Sequence, residues 1–263
     1  MIQKEFLQGN YTNLASSDYP ALIIFLIDIG GSMAKRIKGT RKTRIETVLD
    51  EYAVALQELV GRSINHMTIR PRYEIAMYAY SDIVIDFYGG VQKIDSIVDQ
   101  GIPEFDLQNR KNMVFGFECV RDLLNKEIQS WTSDEKLRRP TPLVVHMTDA
   151  EISECYGNPV PIVKEIMNIE VPDGNVLVEN IFFTDSIKMP TSDLKAFTGF
   201  RDGDLLGNPV GEMLFSMSSI LPEPLRRWNS CRHGLNLQKG ISMLFPGITH
   251  DFVNVGLADF PKS

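Results

Sequence analysis

The chain has 263 residues, of which 43% are hydrophobic and 23% charged, and its formal net charge is -7. Its length exceeds one ordinary compact domain but is short for two, and its composition excludes disorder throughout. The acidic balance argues against a general nucleic-acid binder, whose phosphate contacts need a basic footprint.

The segment Met1–Tyr19 lacks the basic patch followed by an apolar core that marks a signal peptide. No apolar run approaches the ~20 residues of a membrane span. The expectation is a soluble cytoplasmic protein with neither a membrane nor a nucleic-acid partner. Cys119, Cys155 and Cys231 are odd in number and far apart, which fits no disulfide framework and no zinc spacing. They read as buried or idle thiols of a reducing compartment.

Along the chain, the first strong signal is the unbroken apolar run Ala21 to Ile27, ending at Asp28, Gly30 and Gly31. Continuous hydrophobicity marks a strand covered on both faces, as in a parallel sheet. A basic loop follows, and then Ile45, Val48, Leu49, Tyr52, Ala53, Leu56 and Leu59 recur at helical spacing. Tyr73 to Tyr80 and Ile83 to Tyr88, separated by Ser81 and Asp82, read as a hairpin or edge pair. Val114 to Leu124 reads as a helix. Pro142 to Met147 is a second bare strand ending at Thr148 and Asp149, and Val176 to Phe183 is a third ending at Thr184 and Asp185. Three buried strands finishing at acidic residues make one rim of the sheet polar, the end at which open α/β sheets bind ligands. Gly211 to Leu221 reads as a helix stopped by Pro222, with a turn-rich tail beyond. The expected architecture is a three-layer, doubly wound, mostly parallel sheet with helices on both faces and one antiparallel edge strand. Residues 1–17 form an N-terminal extension, 18–222 the domain, and 223–263 a C-terminal extension packed on it.

Phe25-Leu-Ile-Asp-Ile-Gly-Gly-Ser-Met33 resembles the opening motif of von Willebrand factor A domains, in which a strand ends in Asp-x-Ser-x-Ser. Lys111-Asn-Met-Val-Phe-Gly-Phe117 resembles the family's second loop, Thr-x-Met-x-x-Gly-Leu, and Val144-Val-His-Met-Thr-Asp149 its apolar strand ending in Thr-Asp. Met217-Ser-Ser-Ile-Leu-Pro222 is similar to the late helix of bacterial members related to tellurite-resistance TerY proteins. The resemblance covers residues 18 to 222. It implies a degenerate metal-ion-dependent adhesion site, with Asp28, Ser32 and Asp149 as oxygen ligands for a hard cation such as Mg²⁺. It also implies a protein-interaction module of a bacterial stress or defence system, whose partners include kinase and phosphatase components of the same locus.

Two positions depart from the family pattern. Gly30 stands where the first motif serine would be, and Lys111 where the second-loop threonine would be. Two readings therefore stand side by side. Either Asp28, Ser32 and Asp149 hold a metal ion, or the Lys111 ammonium takes its place. Opposite charges ~4 Å apart attract by about 4 kcal/mol at a protein-surface dielectric, before desolvation is charged against them. A displaced second loop that brings Asn112 to the site is a further arrangement.

Lys35, Arg36, Lys38, Arg41, Lys42 and Arg44 make a cationic loop without acidic neighbours in sequence. It reads either as a surface for an acidic or phosphorylated partner segment or as a solvated lead-in to the helix. Lys111, Asn112, Arg36 and Lys38 are the expected partner-binding residues. Gly39 to Thr43 lacks the spacing of a phosphate-binding loop. Asp149, Glu151 and Glu154 read as helix caps rather than as paired catalytic carboxylates, and His146 as a packed core histidine.

The chain is expected not to be an enzyme. The alternative is a phosphotransferase, because Ile27-Asp-Ile-Gly-Gly-Ser32 is also similar to the phosphate loop of sugar kinases and actin-like ATPases. That loop turns directly into a returning strand, whereas here a basic loop and a long helix follow.

Overall fold

The computed structural model describes residues 9–108, 110–151, 156–183, 196–205 and 207–247, apart from the side chains of residues 232 and 233. β1 (Ala21–Asp28) is buried along its whole length. Ala21, Ile23, Phe25 and Ile27 enter one apolar layer, and Leu22, Ile24 and Leu26 the other. This is the alternation of a strand covered on both faces. A 3₁₀ turn over Gly31–Ala34 follows, and then α1 (Arg44–Ser63) begins at a reciprocal capping box of Thr43 and Glu46. Its stripe of Ile45, Val48, Tyr52, Ala55 and Leu59 covers the first layer. There the Tyr52 ring meets Phe25 edge-on, with centroids 4.9 Å apart.

β2 (Tyr73–Tyr80) lies parallel to β1, with Asp28 opposite Tyr80. Two short segments, β3 (Val84–Asp86) and β4 (Gln92–Lys93), pair antiparallel with β2 and form the edge. α2 (Met113–Ser130) covers the second layer with Met113, Phe117, Val120 and Leu124. Gly116 lets this helix approach closely, since a Cβ there would stand 3.1 Å from the Tyr80 ring. β5 (Leu143–Thr148) pairs parallel with β1 on the side away from β2. α3 (Val160–Met167), β6 (Leu177–Phe182), α4 (Pro209–Ser216), α5 (Glu223–His233) and β7 (Leu244–Pro246) follow, and short helices and two-stranded ribbons lie between the main elements. The strand order is β7-β6-β5-β1-β2-β3. The chain leaves β1 in one direction and resumes from β5 in the other, so the crossover reverses between β1 and β5. That is where an open α/β sheet parts to form a crevice. Among the described residues, no helix is long and apolar enough to cross a membrane.

The late helix ends earlier than its sequence implies. α4 stops at Ser216, and Met217 to Leu221 is not helical. Ser219 instead exchanges hydrogen bonds with Val178, its amide donating to the carbonyl at 2.8 Å and its hydroxyl accepting from the amide at 2.9 Å. Such side-chain bonds to backbone compete with helix. The turn-rich reading of the tail also needs correction. Pro222 and Pro224 open α5, where a missing N–H costs nothing, and β7 then joins the main sheet parallel to β6. Thr184, Asp185, Glu154 and Cys155 lie outside the described residues.

At the opposite end of the sheet, a strap from Gly9 to Ala15 is tied to Asp173. Asn10 and Tyr11 donate to its carbonyl at 3.0 and 2.9 Å, Thr12 and Asn13 to its Oδ1 at 2.8 and 3.0 Å, and Thr141 to its Oδ2 at 3.1 Å. Asp173→Ala orphans three amides. It is expected to cost about 1–3 kcal/mol and to speed amide exchange at residues 12 and 13. Unchanged exchange there would mean that other contacts hold the strap.

Candidate functional site at the sheet rim

Asp28 ends β1 and Thr148 ends β5, so the parallel register sets them side by side at the crevice. Thr148 Oγ1 donates to Asp28 Oδ2 at 2.7 Å, and the Gly30 amide donates to Asp28 Oδ1 at 2.8 Å. The loop before α2 is pinned over this point by Gln108 N to Ile29 O at 3.0 Å and by Asn112 N to Ser81 O at 2.6 Å. These bonds deliver Lys111, whose ammonium donates to Asp28 Oδ2 at 2.8 Å and to Asp149 Oδ1. The other Asp149 oxygen accepts from Arg44 Nη1 at 2.6 Å. Arg44 also reaches Glu151 at 3.1 Å, and Glu151 accepts from Lys35 at 2.6 Å. Three carboxylates thus meet three cations in one chain of ion pairs. Asp28 is 0% exposed, Asp149 3% and Lys111 5%, so the cluster is buried at that end and opens to solvent toward Lys35 and Glu151.

Burial raises the Asp28 carboxyl above its ordinary value, against the charge of Lys111, while the charge of Asp149 pushes it further up. Burial also pushes Asp149 upward, but the charge and hydrogen bond of Lys111 outweigh it and leave that group lowered. Ser32 Oγ is buried and meets no partner at hydrogen-bond geometry, although it lies on the Asp149 side and helps to hold that carboxyl down. Ala150 adopts a left-handed backbone, φ 50°. Its amide bonds Thr148 Oγ1 at 2.8 Å, and the next amide, of Glu151, bonds Asp149 Oδ1 at 3.1 Å. The local strain is thereby tied into the cluster.

A second polar row leads inward from the rim. The Tyr80 hydroxyl meets His146 Nε2 at 2.9 Å, and His146 Nδ1 meets Asn180 Oδ1 at 2.7 Å. The Asn180 amide donates to Met217 O at 3.1 Å and to Ser218 Oγ at 2.8 Å. Its oxygen is therefore the acceptor for the ring, which fixes His146 as the neutral tautomer with the proton on Nδ1. This core histidine bridges the β5–β6 region and the segment after α4. Sequence reading identified it as a packed residue but not the row it belongs to, which depends on non-local pairing of β5 with β6.

The structure gathers Asp28, Asp149 and Lys111 in one cluster, with Ser32 at its border. Asn112 is occupied otherwise, its side-chain oxygen capping α2 by accepting from Phe115 N at 3.0 Å. Arg36 and Lys38 are exposed on a loop closed by the Arg36–Thr43 bridge and pinned by buried Ile37. The loop does have acidic neighbours, in space rather than in sequence: Lys35 pairs with Glu151, Lys42 with Asp50, and Arg44 with Asp149. Asp149 and Glu151 serve these ion pairs rather than capping a described helix. Arg44 was missed as a site residue. Its position at the start of α1, one residue past the capping threonine, was the available signal.

Among the described residues, no cluster of three or more histidine, cysteine, aspartate or glutamate side chains is suited to hold a metal ion. The donor set around Asp28 does not fit a divalent cation in this arrangement. Both carboxylates are already neutralised, position 30 brings no hydroxyl, and position 111 brings a positive charge.

No protein-family model matches the chain, and no curated protein does. Solved structures do. Proximal thread matrix protein 1 from the mussel byssus is 12% identical, with 92% of this chain and 48% of that chain covered and a TM-score of 0.50. The SpRpn10 VWA domain is 13% identical over 62% of this chain and 75% of its own, with a TM-score of 0.41. The manganese-loaded Plasmodium vivax TRAP protein is 13% identical over 64% and 59%, with a TM-score of 0.37. The strand order and the antiparallel edge match a von Willebrand factor A/Rossmann-like α/β fold, and at such identities the likeness to the byssus protein speaks for the fold alone.

Proposed function

We propose that this chain is a protein-docking module that presents the rim around β1 and β5 to an acidic partner segment and performs no chemistry there. The observation that carries this reading is the sealed, charge-balanced cluster of Asp28, Asp149, Lys111 and Arg44 at the crevice. A general base or a nucleophile needs an uncommitted, reachable group, and these carboxylates are neither. What faces outward is the basic loop with exposed Arg36, Lys38 and Arg41, together with Phe115, 42% exposed at the start of α2. Cations around an apolar contact suit an acidic or phosphorylated segment.

The phosphotransferase alternative needs a strand returning directly from the glycine pair. Here a 3₁₀ turn follows, and both neighbours of β1 run parallel to it. The finer setting we propose is a cytoplasmic bacterial stress or defence system, with kinase and phosphatase components of the same locus as the partners to assay first. Immobilised chain is expected to capture its partner equally in EDTA and in Mg²⁺, and to lose it on Arg36→Glu/Lys38→Glu. Capture that survives the charge reversal would move the interface elsewhere, and ATP hydrolysis abolished by Asp28→Ala would replace the docking reading with the kinase-like one.

A further inference from the structure

We infer that Gly30 and Lys111 form one device, an internal ammonium that keeps a divalent cation out of the rim, and that exchanging both residues together opens a cation site there. The inference goes beyond the docking reading and stands without it.

The two positions are coupled by volume. A Cβ added at Gly30 would sit 2.7 Å from Lys111 Cδ and closer still to Cγ and Cε. The lysine stem therefore runs through the space that any side chain at position 30 would take. The glycine is needed for this close approach, since its φ of -69° is open to every residue. Beyond the stem, the ammonium binds one oxygen of Asp28 and one of Asp149, and Arg44 holds the second oxygen of Asp149. A hard cation between these carboxylates would compete with a covalently tethered charge already in place. A lysine at 111 with a serine at 30 would clash, and a glycine at 30 with a threonine at 111 would leave the carboxylates short of both a cation and a ligand. The two departures from the family pattern are thus one change made in two places.

A latent oxygen set is also present. Ser32 Oγ is buried beside Asp149, close enough to help hold that carboxyl down though outside hydrogen-bond geometry, while Thr148 Oγ1 is committed to Asp28. Removing the lysine leaves Asp28 Oδ2 with the Thr148 hydroxyl and Asp149 Oδ1 with the Glu151 amide, each oxygen with a lone pair to offer. Hydroxyls introduced at 30 and 111 would join Ser32 and water in a hard, oxygen-only set of the kind Mg²⁺ and Mn²⁺ take.

The test uses Mn²⁺ alone, read by thermal melting and by electron paramagnetic resonance. The wild-type melting midpoint is expected to be the same in EDTA and in millimolar Mn²⁺. Gly30→Ser/Lys111→Thr is expected to give an immobilised Mn²⁺ signal and a midpoint rise of about 3 °C at tenfold excess over Kd. A wild-type midpoint that climbs with Mn²⁺ would overturn the inference, as would a folded double variant blind to the ion. Should that variant fail to fold, Gly30→Ala decides the matter. It is expected to lower the wild-type midpoint by several degrees and to have little effect in a Lys111→Ala background. An equal drop in both backgrounds would sink the coupling.

Discussion

Lys111→Met is expected to destabilise the protein by about 3–5 kcal/mol, the cost of breaking a buried ion pair by removing one partner, measured by urea denaturation at neutral pH. The methionine retains most of the stem that fills the space beside Gly30, so the loss reports charge rather than volume. Asp28 and Asp149 would be left facing each other with Arg44 as the remaining cation at the cluster's buried end. Burial already raises the Asp28 carboxyl in the presence of the lysine. Without it, the Asp28 carboxyl is expected to rise further and to take up its proton more readily, which limits the loss and makes it pH-dependent. Asp28→Asn in the Lys111→Met background should therefore recover part of the stability, because a neutral amide needs no counter-charge. A Lys111→Met loss below about 1 kcal/mol, the scale of an exposed pair, would mean that the ammonium is not the charge holding the rim.

Much of the fold was legible in the sequence because its strands are buried on both faces. Ala21 to Ile27 is an unbroken apolar run and Pro142 to Met147 is broken only by His146, and such runs admit few arrangements other than adjacent parallel strands. The convergence of Asp28, Lys111 and Asp149 was legible through the resemblance of their segments to von Willebrand factor A motifs, since the apolar pattern puts the two carboxylates at strand ends but does not place the Lys111 loop beside them. What sequence spacing could not supply was any neighbour made by long-range packing. Arg44 belongs to the first turn of α1 by sequence and to Asp149 by folding, 105 positions away. Met217 to Leu221 carries helix-compatible residues, yet Ser219 is taken by β6. The segment after Pro222 reads as turns because prolines and glycines punctuate it. A proline at a helix start and a proline ending an edge strand, however, are both places where no amide donor is needed.

Stability is expected to fall by about 2 kcal/mol as the pH drops from 6.5 to 5, and His146 is the cause. Burial is the main force lowering its pKa, to about 4; the Asn180 bond opposes this and the nearby Lys111 charge adds to it. In the unfolded chain the ring titrates near 6.5. Between the two values the unfolded state binds a proton that the native state refuses, so stability rises with pH there and is lost on acidification. At 1.36 kcal/mol per unit, the window from 6.5 to 5 accounts for the figure. The groups facing the ring, Tyr80, Phe117 and Asn180, carry no charge in this range. Of the nearby rim carboxylates, Asp149 is lowered, so its contribution is lost only below the ordinary aspartate range. Asp28 is raised and acts with the opposite sign, gaining stability as it protonates. His146→Gln keeps an amide donor and an acceptor without a titrating ring. It should be less stable at pH 7 and lose the His146 part of the slope between 6.5 and 5, whereas a variant with the same slope as the wild type, Asp28 being common to both, would mean that the buried imidazole is already charged or that water reaches it.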